Sequence, residues 1–376
     1  MSPRIAVIGG SLTGPVAALS LLARGFENVH VYEATPQAVT LAGGVIGLQH
    51  PALNALAEVG ILQDEIVPTD SEQVIQIQVR DQRTAGRTKR IFPGRNTTWT
   101  LLNAALKRRL PAAHYHASKR LTEIRESDSG PATLVFADGS DVAADLVIFA
   151  DGRKSFGRKL LDPNRKLSYA GYVAHRGMMT GVVPELVDAF YSFQPEHALF
   201  NTFPALMLDG QLKLDWTFFL DTRVDQFERF FGGKPTARTF VFPRQVTPEA
   251  FEFVNHEARR RLPGTEARIV HDTTERMAAP IVDIDAPTQM VWSIGKARAV
   301  LVGDALAPPR PHTGQGANRG IDQVADLALA LHQHTRWGAD LDAALTAWEG
   351  RHLPVVAQYL NAGRAIGRSL QLGMTT

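Results

Sequence analysis

The chain has 376 residues, of which 44% are hydrophobic and 21% are charged, and its formal net charge is +2; such values are typical of a globular protein with two domains or one elaborated domain. Because the chain contains no cysteine, disulfides, thiolate chemistry, iron–sulfur clusters and cysteine zinc sites are excluded. Its arginines are scattered rather than clustered, which argues against a nucleic-acid partner.

The N-terminus runs directly into an apolar segment at residues 5–8. This leaves no room for a signal peptide, and no apolar run along the chain reaches the length of a membrane span. We therefore expect a cytoplasmic protein that does not enter a membrane.

A glycine-rich turn follows this first apolar strand. The segment reads Arg4-Ile5-Ala6-Val7-Ile8-Gly9-Gly10-Ser11-Leu12-Thr13-Gly14. A helical pattern comes next, and a second apolar strand ends at Glu33. A helix N-terminus offers free N–H groups to a pyrophosphate, and a carboxylate about twenty residues further on takes a ribose hydroxyl. The pattern predicts a dinucleotide site, although Ser11 replaces the middle glycine of the usual motif; the alternative is an ordinary strand–helix turn without a ligand.

Helical and extended patterns alternate over the next hundred residues. We predict helices near residues 51–60 and 99–110, and a β-hairpin at residues 74–92 that turns at Gly86. Residues 133–137 and 142–149 are expected to pair around an Asp-Gly turn. The second of these strands leads into Asp151.

Residues 168–245 are rich in aromatic side chains and alternate in polarity, which predicts an antiparallel sheet without helices. In residues 211–218 the apolar side chains fall on one face and Asp215 falls on the other. Thr247 and Pro248 then mark the start of a helix, as cap and first residue.

The α/β pattern returns with the apolar run at residues 299–302. The following segment reads Gly303-Asp304-Ala305-Leu306-Ala307-Pro308-Pro309-Arg310-Pro311-His312-Thr313-Gly314-Gln315-Gly316-Ala317-Asn318. Gly303 permits a tight turn, and Asp304 follows the carboxyl end of a strand, where open α/β sheets bind ligands. Free N–H groups near Gly314, Gly316 and Asn318 suit an anion or an electron-rich ring edge. Residues 318–370 are mostly helical.

Three motifs, in this order, resemble those of the class A flavoprotein monooxygenases of the para-hydroxybenzoate hydroxylase type. They are the glycine-rich turn with Glu33, residues 150–158 around Asp151, and residues 303–318 around Asp304. The resemblance covers nearly the whole chain. Phe149 and Trp99 depart from the family pattern, because they replace a glycine and an arginine that are common there.

Further residues are similar to one branch of that family, the 2,6-dihydroxypyridine 3-hydroxylases. They lie in residues 169–177, 310–312 and 359–361. The resemblance implies an α/β fold in which a mostly antiparallel β substrate domain is inserted into a Rossmann-like FAD-binding domain, with helices at the C-terminus.

This implied fold gives four expected segments. We place the first part of the FAD-binding domain at residues 1–167, including the hairpin at 74–92. The substrate domain follows at 168–275, the FAD-binding domain is completed at 276–335, and the C-terminal helices occupy 336–376.

The resemblance also implies which residues bind FAD. They are Gly9, Ser11, Leu12, Thr13, Gly14, Glu33, Asp151, Asp304, Pro311, Gly314, Gly316, Ala317 and Asn318. Glu33 would hold the adenosine ribose, Asp304 the ribityl or pyrophosphate segment, and N–H groups at residues 316–318 the flavin pyrimidine edge, which is negative in the reduced flavin. Asp151 would serve structure and the nicotinamide cofactor, although alone it would read as an ordinary Asp-Gly turn.

The family reaction reduces FAD with NADH or NADPH, forms a flavin C4a-hydroperoxide from dioxygen and hydroxylates an electron-rich aromatic or N-heteroaromatic ring. A base with a pKa near neutrality suits the activation of a ring hydroxyl. His312, in the turn expected over the flavin, is the first candidate, and His175 is the second. Arg310 is a candidate to pair with an anionic ring or to form a structural salt bridge. Further expected substrate contacts are Tyr191, Asp215 and Pro311.

Two other functions fit the same residues. One is hydroxylation of a phenolic acid or a natural-product aromatic, and the other is flavin binding without turnover. A flavin halogenase is disfavoured because the chain has no Trp-x-Trp-x-Ile run. We expect a small aromatic substrate and dioxygen as partners and no bound metal, with a homodimer as one open oligomeric state.

Overall fold

The computed structural model describes residues 3–36, 44–67, 72–337 and 340–374. The strands are β1 Ile5–Ile8, β2 Val29–Tyr32, β3 Val45–Gln49, β4 Gln73–Arg80, β5 Arg83–Ile91, β6 Gly94–Thr98, β7 Tyr115–His116, β8 Leu121–Arg125, β9 Ala132–Phe136, β10 Asp141–Ala144, β11 Leu146–Phe149, β12 Ser168–Thr180, β13 Phe190–Gln194, β14 Ala198–Leu206, β15 Leu212–Asp221, β16 Arg276–Asp283, β17 Val291–Ile294 and β18 Ala297–Leu301. The helices are α1 Thr13–Leu22, α2 His50–Glu58, α3 Gln63–Ile66, α4 Trp99–Arg109, α5 Phe156–Leu161, α6 Val224–Phe231, α7 Pro248–Arg261, α8 Gly264–Asp272, α9 Gly303–Leu306, α10 Gly316–Trp337 and α11 Leu341–Ser369.

The first sheet has the strand order β17-β18-β11-β1-β2-β7. Its central strands are parallel, with β1 between β11 and β2, and β18 pairs in parallel with β11. Strands β1 and β11 are buried along their whole length, as continuous apolar runs in parallel sheets usually are. Because parallel strands end at the same edge, the glycine-rich turn, Glu33, Asp151 and Asp304 are brought to one edge of this sheet.

The second sheet has the strand order β16-β12-β15-β14-β13-β4-β5. One face, which we call the helix face, carries Trp216 and Phe218 and packs against Val254 and Ala258 of α7. The opposite face carries Tyr172 and Phe219 and packs against the C-terminal segment. We call this opposite face the cofactor face, because His312 of the third motif contacts it.

The hairpin at residues 74–92 pairs with the second sheet, since β4 runs parallel to β13. Its assignment to the FAD-binding part is therefore wrong. The chain turns at Asp81 and Gln82, which have φ angles of 48° and 59°, and not at Gly86, which lies inside β5. Strand β16 also joins the second sheet, although residues 276–283 were expected in the FAD-binding part.

Two local predictions need correction. The strand expected at residues 142–149 is divided at Asp145, whose carboxylate accepts hydrogen bonds from the backbone and side chain of Arg4. As a result β10 and β11 belong to different sheets. The expected helix-free region at residues 168–245 contains α6, whose Phe227 and Phe230 cover the helix face beside Val173.

The predicted α/β class is confirmed, with an interrupted parallel sheet, a mostly antiparallel second sheet and C-terminal helices. Among the described residues, none of the helices combines the length and the apolar character needed to cross a lipid bilayer.

Candidate active site

The turn between β1 and α1 is packed too closely for side chains. Gly9 has a φ angle of 111°, and a Cβ atom there would overlap the carbonyl oxygen of Ala150. A Cβ atom at Gly14 would likewise overlap the carbonyl oxygen of Gly9. The bare backbone leaves the first N–H groups of α1 accessible at the sheet edge, as a phosphate site requires.

Glu33 is held rigidly beside this turn. Its Oε2 accepts a hydrogen bond from the Gly10 backbone N–H at 2.6 Å, and its Oε1 accepts from the backbone N–H and the hydroxyl of Thr35 at 2.8 and 2.7 Å. A carboxylate has about four acceptor positions. The three protein donors therefore orient Glu33 and still leave room for a ribose hydroxyl.

Helix α4 donates two hydrogen bonds to the glycine-rich turn between β1 and α1. Trp99 Nε1 donates to Ser11 Oγ at 3.2 Å, and Asn103 Nδ2 donates to the Ser11 carbonyl oxygen at 2.7 Å. Trp99 thus contacts Ser11, which occupies the middle position of the glycine-rich turn. The sequence marked both positions as departures but gave no sign that they touch.

The second motif is built around Asp151 and Arg158. Asp151 Oδ2 accepts from the Phe156 N–H at 2.6 Å and from the Gly157 N–H at 3.3 Å, at the start of α5. Its Oδ1 is buried without a hydrogen-bond partner among the described residues, and burial raises the pKa of this carboxyl. Arg158 Nη1 donates to the carbonyl oxygens of Ala305 and Asp304 at 2.6 and 3.1 Å, so this side chain joins the second motif to the third.

The third motif brings Asp304 beside the start of α10. A Cβ atom at Gly316 would lie 3.8 Å from Asp304 Oδ1. Desolvation by the surrounding protein raises the pKa of Asp304, and the positive charges of Arg153 and Arg158 oppose this rise. The direction of the shift reflects the densely packed surroundings of the carboxylate, although the residue is exposed on the side that would face a cofactor. In α10 the backbone N–H of Arg319 donates to the Gln315 carbonyl oxygen, so the N–H groups of the preceding helical residues point out of the helix end.

Asn318 fixes this helix start to β3. Its Oδ1 accepts from the Gln49 N–H at 2.8 Å, and its Nδ2 donates to the carbonyl oxygens of Gly47 and Gly314, both at 2.7 Å. The side chain is therefore occupied by the protein, and only the backbone N–H of Asn318 is available to a cofactor.

His312 lies in a short 3-10 turn, Pro311–Thr313, against the cofactor face. Its Nε2 is 2.9 Å from Tyr172 Oη, and its ring contacts Phe219 edge-on at a centroid distance of 6.0 Å. The Nδ1 atom is buried without a partner among the described residues. Burial and the nearby Arg310 lower the pKa of His312 to about 4, well below the near-neutral pKa expected of the base. The imidazole is therefore neutral at neutral pH, and its unprotonated nitrogen is an acceptor. Pro311, next to it, is exposed.

Arg310 has a structural partner. Its Nε and Nη2 donate to the two carboxylate oxygens of Asp283 at 2.8 and 2.6 Å, with side-chain exposures of only 10% and 18%. Its Nη1 also donates to Tyr172 Oη at 3.4 Å. The Arg310 side chain is thus engaged in an ion pair with Asp283. Of the two roles expected for Arg310, the structure supports the salt bridge and not the direct contact with an anionic ring.

Asp215 lies on the cofactor face, on the opposite side of β15 from Trp216 and Phe218, and the alternation predicted this separation. It is buried, and Arg176 Nη2 approaches its Oδ2 at 3.4 Å. Burial raises the pKa of Asp215 to about 6, although Arg176 opposes the shift. Sequence reasoning used Arg176 only for the resemblance; its position two residues before Met178, which pairs with Asp215, shows why the two side chains meet.

His175 and Tyr191 lie on the helix face, away from His312. His175 is buried against Phe231 and Phe253, and burial lowers its pKa to about 3. Tyr191 packs in the apolar cluster of that face and donates to Asp188 at 2.7 Å. Successive residues of a strand face opposite sides of the sheet, and His175 and Tyr191 face the side away from His312. The structure therefore brings neither residue to the site.

No family model matches the chain. The chain is 28% identical to the 2,6-dihydroxypyridine 3-monooxygenase of Paenarthrobacter nicotinovorans, over 99% of this chain and 94% of that protein. It is 31% identical to the 6-hydroxynicotinate 3-monooxygenase of Bordetella bronchiseptica, over 88% of this chain and 83% of that protein.

Solved structures share the fold. The structure of 2,6-dihydroxypyridine-3-hydroxylase from Arthrobacter nicotinovorans superposes with a TM-score of 0.85 at 25% identity, covering 99% of this chain and 93% of that one. The structure of Klebsiella pneumoniae HpxO with FAD and uric acid gives a TM-score of 0.75 at 20% identity, covering 96% and 87%. The structural similarity therefore extends over almost the whole chain, and it includes both sheets, the three motifs and the C-terminal helices.

Proposed function

The chain belongs to the FAD-dependent aromatic monooxygenases, and within that family we propose that its substrate is a hydroxylated pyridine. It is an oxidoreductase that uses FAD with NAD(P)H as the usual co-substrate and hydroxylates an electron-rich aromatic ring. Two similar proteins are named for reactions on hydroxylated pyridines. The observation that carries the proposal is that Arg176, Asp215 and His312 all lie on the cofactor face of the second sheet.

The residues at the edge of the first sheet fit FAD. The turn at Gly9 and Gly14 has no space for side chains but leaves N–H groups for a pyrophosphate. Glu33 would hold the adenosine ribose, Asp304 the ribityl or pyrophosphate segment, and the start of α10 the negative edge of the flavin ring. When bound, FAD supplies the redox chemistry, in which it takes a hydride from NAD(P)H and activates dioxygen.

The chain itself would position the ring and handle its proton. When His312 Nε2 carries the hydrogen and donates to Tyr172 Oη, the unpartnered Nδ1 is an acceptor for the proton of a ring hydroxyl. Removing that proton makes the ring carbon more electron-rich, which favours attack by an electrophilic oxygen. The apolar part of the cofactor face around Ala174 and Phe219 would exclude water from the reacting groups.

The test is turnover by the FAD-loaded protein. We expect 2,6-dihydroxypyridine to accelerate NAD(P)H oxidation and to yield a product with one additional oxygen atom, and isotope-labelled dioxygen should place its label in that product. Resorcinol, which has the same hydroxyl groups but no ring nitrogen, is the matched control. Turnover of a phenolic acid or another carbocyclic ring in place of hydroxypyridines would refute the substrate proposal, and NAD(P)H oxidation unaffected by any ring would favour a flavin-binding protein without turnover.

A further inference from the structure

A row of polar side chains crosses the cofactor face of the second sheet. Arg176 on β12 is opposite Thr217 on β15, which is opposite Asn201 on β14. Directly opposed residues in antiparallel strands point to the same side. Asp215 lies two residues before Thr217 on the same face, and we call these four residues the polar row. Ser192 on β13 and Gln76 on β4 continue the line beyond Asn201, whereas the residues of that face toward His312, Tyr172 and Phe219, have aromatic rings.

The acceptors of the polar row lack adequate protein partners. Asn201 Oδ1 is buried and accepts no hydrogen bond from the described residues. The Asp215 side chain has a single hydrogen-bonding partner there, Arg176, at the long distance of 3.4 Å, although the carboxylate is only 9% exposed. Buried acceptors are normally satisfied, because an unmet one costs free energy. Two such acceptors on one face indicate that a ligand supplies the missing donors.

The polar row also borders the place expected for the flavin. The Arg176 guanidinium packs so closely on Gly44 that a Cβ atom there would overlap its Nη2. Gly44 immediately precedes β3, and β3 is tied through Gln49 to Asn318 at the start of α10. Phe219, two residues after Thr217, contacts the His312 ring. A ring bound on the polar row is therefore within the same site as His312.

The charges of the row select among ring substrates. An unpaired arginine on this face would suit a ring carboxylate, with two parallel hydrogen bonds. Here Asp215 lies beside Arg176 and would repel a second carboxylate. The 2-pyridone form of a dihydroxypyridine presents a carbonyl acceptor, an N–H donor and an O–H donor in that order. This order matches Arg176 on β12, Asp215 on β15 and Asn201 on β14, and it adds no charge.

We propose that Arg176, Asp215 and Asn201 recognise the amide edge of a hydroxylated pyridine that has no carboxylate. Arg176 donates to the ring oxygen, while Asp215 and Asn201 accept from the ring N–H and a neighbouring O–H. This assignment rests on the proposed function and names the residues that decide its specificity.

The experiment measures ligand binding to the oxidised holoenzyme through the change in the flavin absorption spectrum, so that turnover is not required. The ligands are 2,6-dihydroxypyridine and 6-hydroxynicotinate, which differ in the ring carboxylate. We expect the wild-type protein to bind 2,6-dihydroxypyridine roughly tenfold or more tightly than 6-hydroxynicotinate. Asp215→Asn should weaken 2,6-dihydroxypyridine binding roughly 10- to 100-fold and strengthen 6-hydroxynicotinate binding, because the repulsion is removed.

Two further variants complete the design. Asn201→Leu should weaken 2,6-dihydroxypyridine binding without improving that of 6-hydroxynicotinate, because it removes an acceptor but no charge. Asp209→Asn removes an exposed carboxylate from the turn between β14 and β15 and should change neither affinity. FAD content and the thermal midpoint of each variant report whether it is folded.

The outcomes separate this inference from the proposed function. If folded, FAD-loaded Asp215→Asn keeps the wild-type affinities for both ligands, the pair is structural and the inference is wrong, while hydroxypyridine turnover by the wild-type protein still supports the function. Tighter wild-type binding of 6-hydroxynicotinate than of 2,6-dihydroxypyridine also overturns the inference. If the wild-type protein binds and hydroxylates neither pyridine, the proposed function falls as well.

Discussion

At the scale of single residues, the half-buried His312 differs from the buried His175 by what surrounds it. His312 has one nitrogen bound to Tyr172 and the other unpartnered, in a turn stiffened by Pro309 and Pro311. His175 is enclosed by Phe231 and Phe253 on the helix face. Of these two histidines, His312 is therefore the one that we propose meets a ring hydroxyl beside the third motif.

Replacing His312 by alanine should separate NAD(P)H consumption from hydroxylation. We expect the variant to bind FAD and to consume NAD(P)H, but hydroxylation should fall by roughly two to four orders of magnitude, as for a lost general base. Hydrogen peroxide should appear in its place, since activated oxygen is not transferred. The measurement is hydroxylated product and peroxide formed per NAD(P)H, with the exposed His256→Ala as control. A fully coupled His312→Ala enzyme at near wild-type rate would exclude the base role.

Asp215 should make stability depend on pH. Burial raises its pKa from 3.8 to about 6, so the folded protein holds this proton more tightly than the unfolded chain does. The resulting stability is fully present below about pH 3.8 and is lost as pH rises through about 6. Relative to the wild-type protein, Asp215→Asn should therefore gain roughly 2–3 kcal/mol in unfolding free energy between about pH 4 and pH 7, at about 1.4 kcal/mol per pKa unit. Urea unfolding at both pH values checks this, and a difference that does not change with pH would contradict it.

At the scale of elements, the site depends on the close approach of α1 and α10. Gly303 and Gly320 both face Thr13 of α1, and a Cβ atom at Gly320 would overlap Thr13 Oγ1. This contact places the N-terminal ends of two helices near each other at the edge of the first sheet. A side chain at Gly303 or Gly320 would push α1 and α10 apart, and the backbone N–H groups at the start of each helix would move with them.

Gly320→Ala should separate these helices and destabilise the protein by roughly 1–3 kcal/mol, the range for overpacked sites. The double variant Thr13→Ala with Gly320→Ala should recover most of the loss, because the nearest atom left would be the Thr13 Cβ position at 3.4 Å. Thermal unfolding of the FAD-free proteins is the measurement. Gly350→Ala is the matched control: this α11 glycine has open space around its Cβ position, and the change should be neutral or slightly stabilising. Equal losses at positions 320 and 350 would contradict the packing argument.

At the scale of the whole molecule, a few polar contacts join the two sheets. Arg310 of the third motif pairs with Asp283 at the end of β16, and Tyr359 of α11 donates to the Ala307 carbonyl oxygen at 2.9 Å. The Gly373 N–H donates to Asp221 at 2.6 Å, which fixes the C-terminal segment to the second sheet. These contacts set the position of His312 over the cofactor face.

Arg310→Met should lower the free energy of unfolding by roughly 1–3 kcal/mol, because the half-buried Asp283 carboxylate loses its two close donors and keeps Arg364, whose Nε lies 3.9 Å away. Arg310→Met combined with Asp283→Leu should recover part of that loss. Arg298→Met, which breaks a more exposed pair with Asp342, should cost about 1 kcal/mol or less. Urea unfolding of the variants compares these values. A loss at Arg310 no larger than that at Arg298 would show that the pair does not join the sheets in this way.

The local parts of this protein could be predicted from short-range sequence patterns. The glycine-rich turn, Glu33, Asp151 and Asp304 could be recognised because each follows an apolar strand within a few residues, and short-range patterns reflect turn sterics and helix ends. The α/β class and the long C-terminal helices followed from periodicity. The alternation around Asp215 correctly separated it from Trp216 and Phe218, since successive strand residues face opposite sides.

The pairing of the strands and the contacts between their faces could be established only from the folded structure. The pattern of residues 74–92 predicts a hairpin but does not show which sheet the hairpin joins. Its partner strand β13 is more than a hundred residues away, so no local pattern could assign the hairpin to the second sheet. Alternation groups residues by face but does not say which face meets the cofactor, which is why His175 and Tyr191 looked equivalent to residues of the site. The ion pair of Arg310, the tether of Asn318 and the polar row with Asn201 and Arg176 all depend on contacts between segments distant in sequence, and such contacts exist only once both sheets are folded.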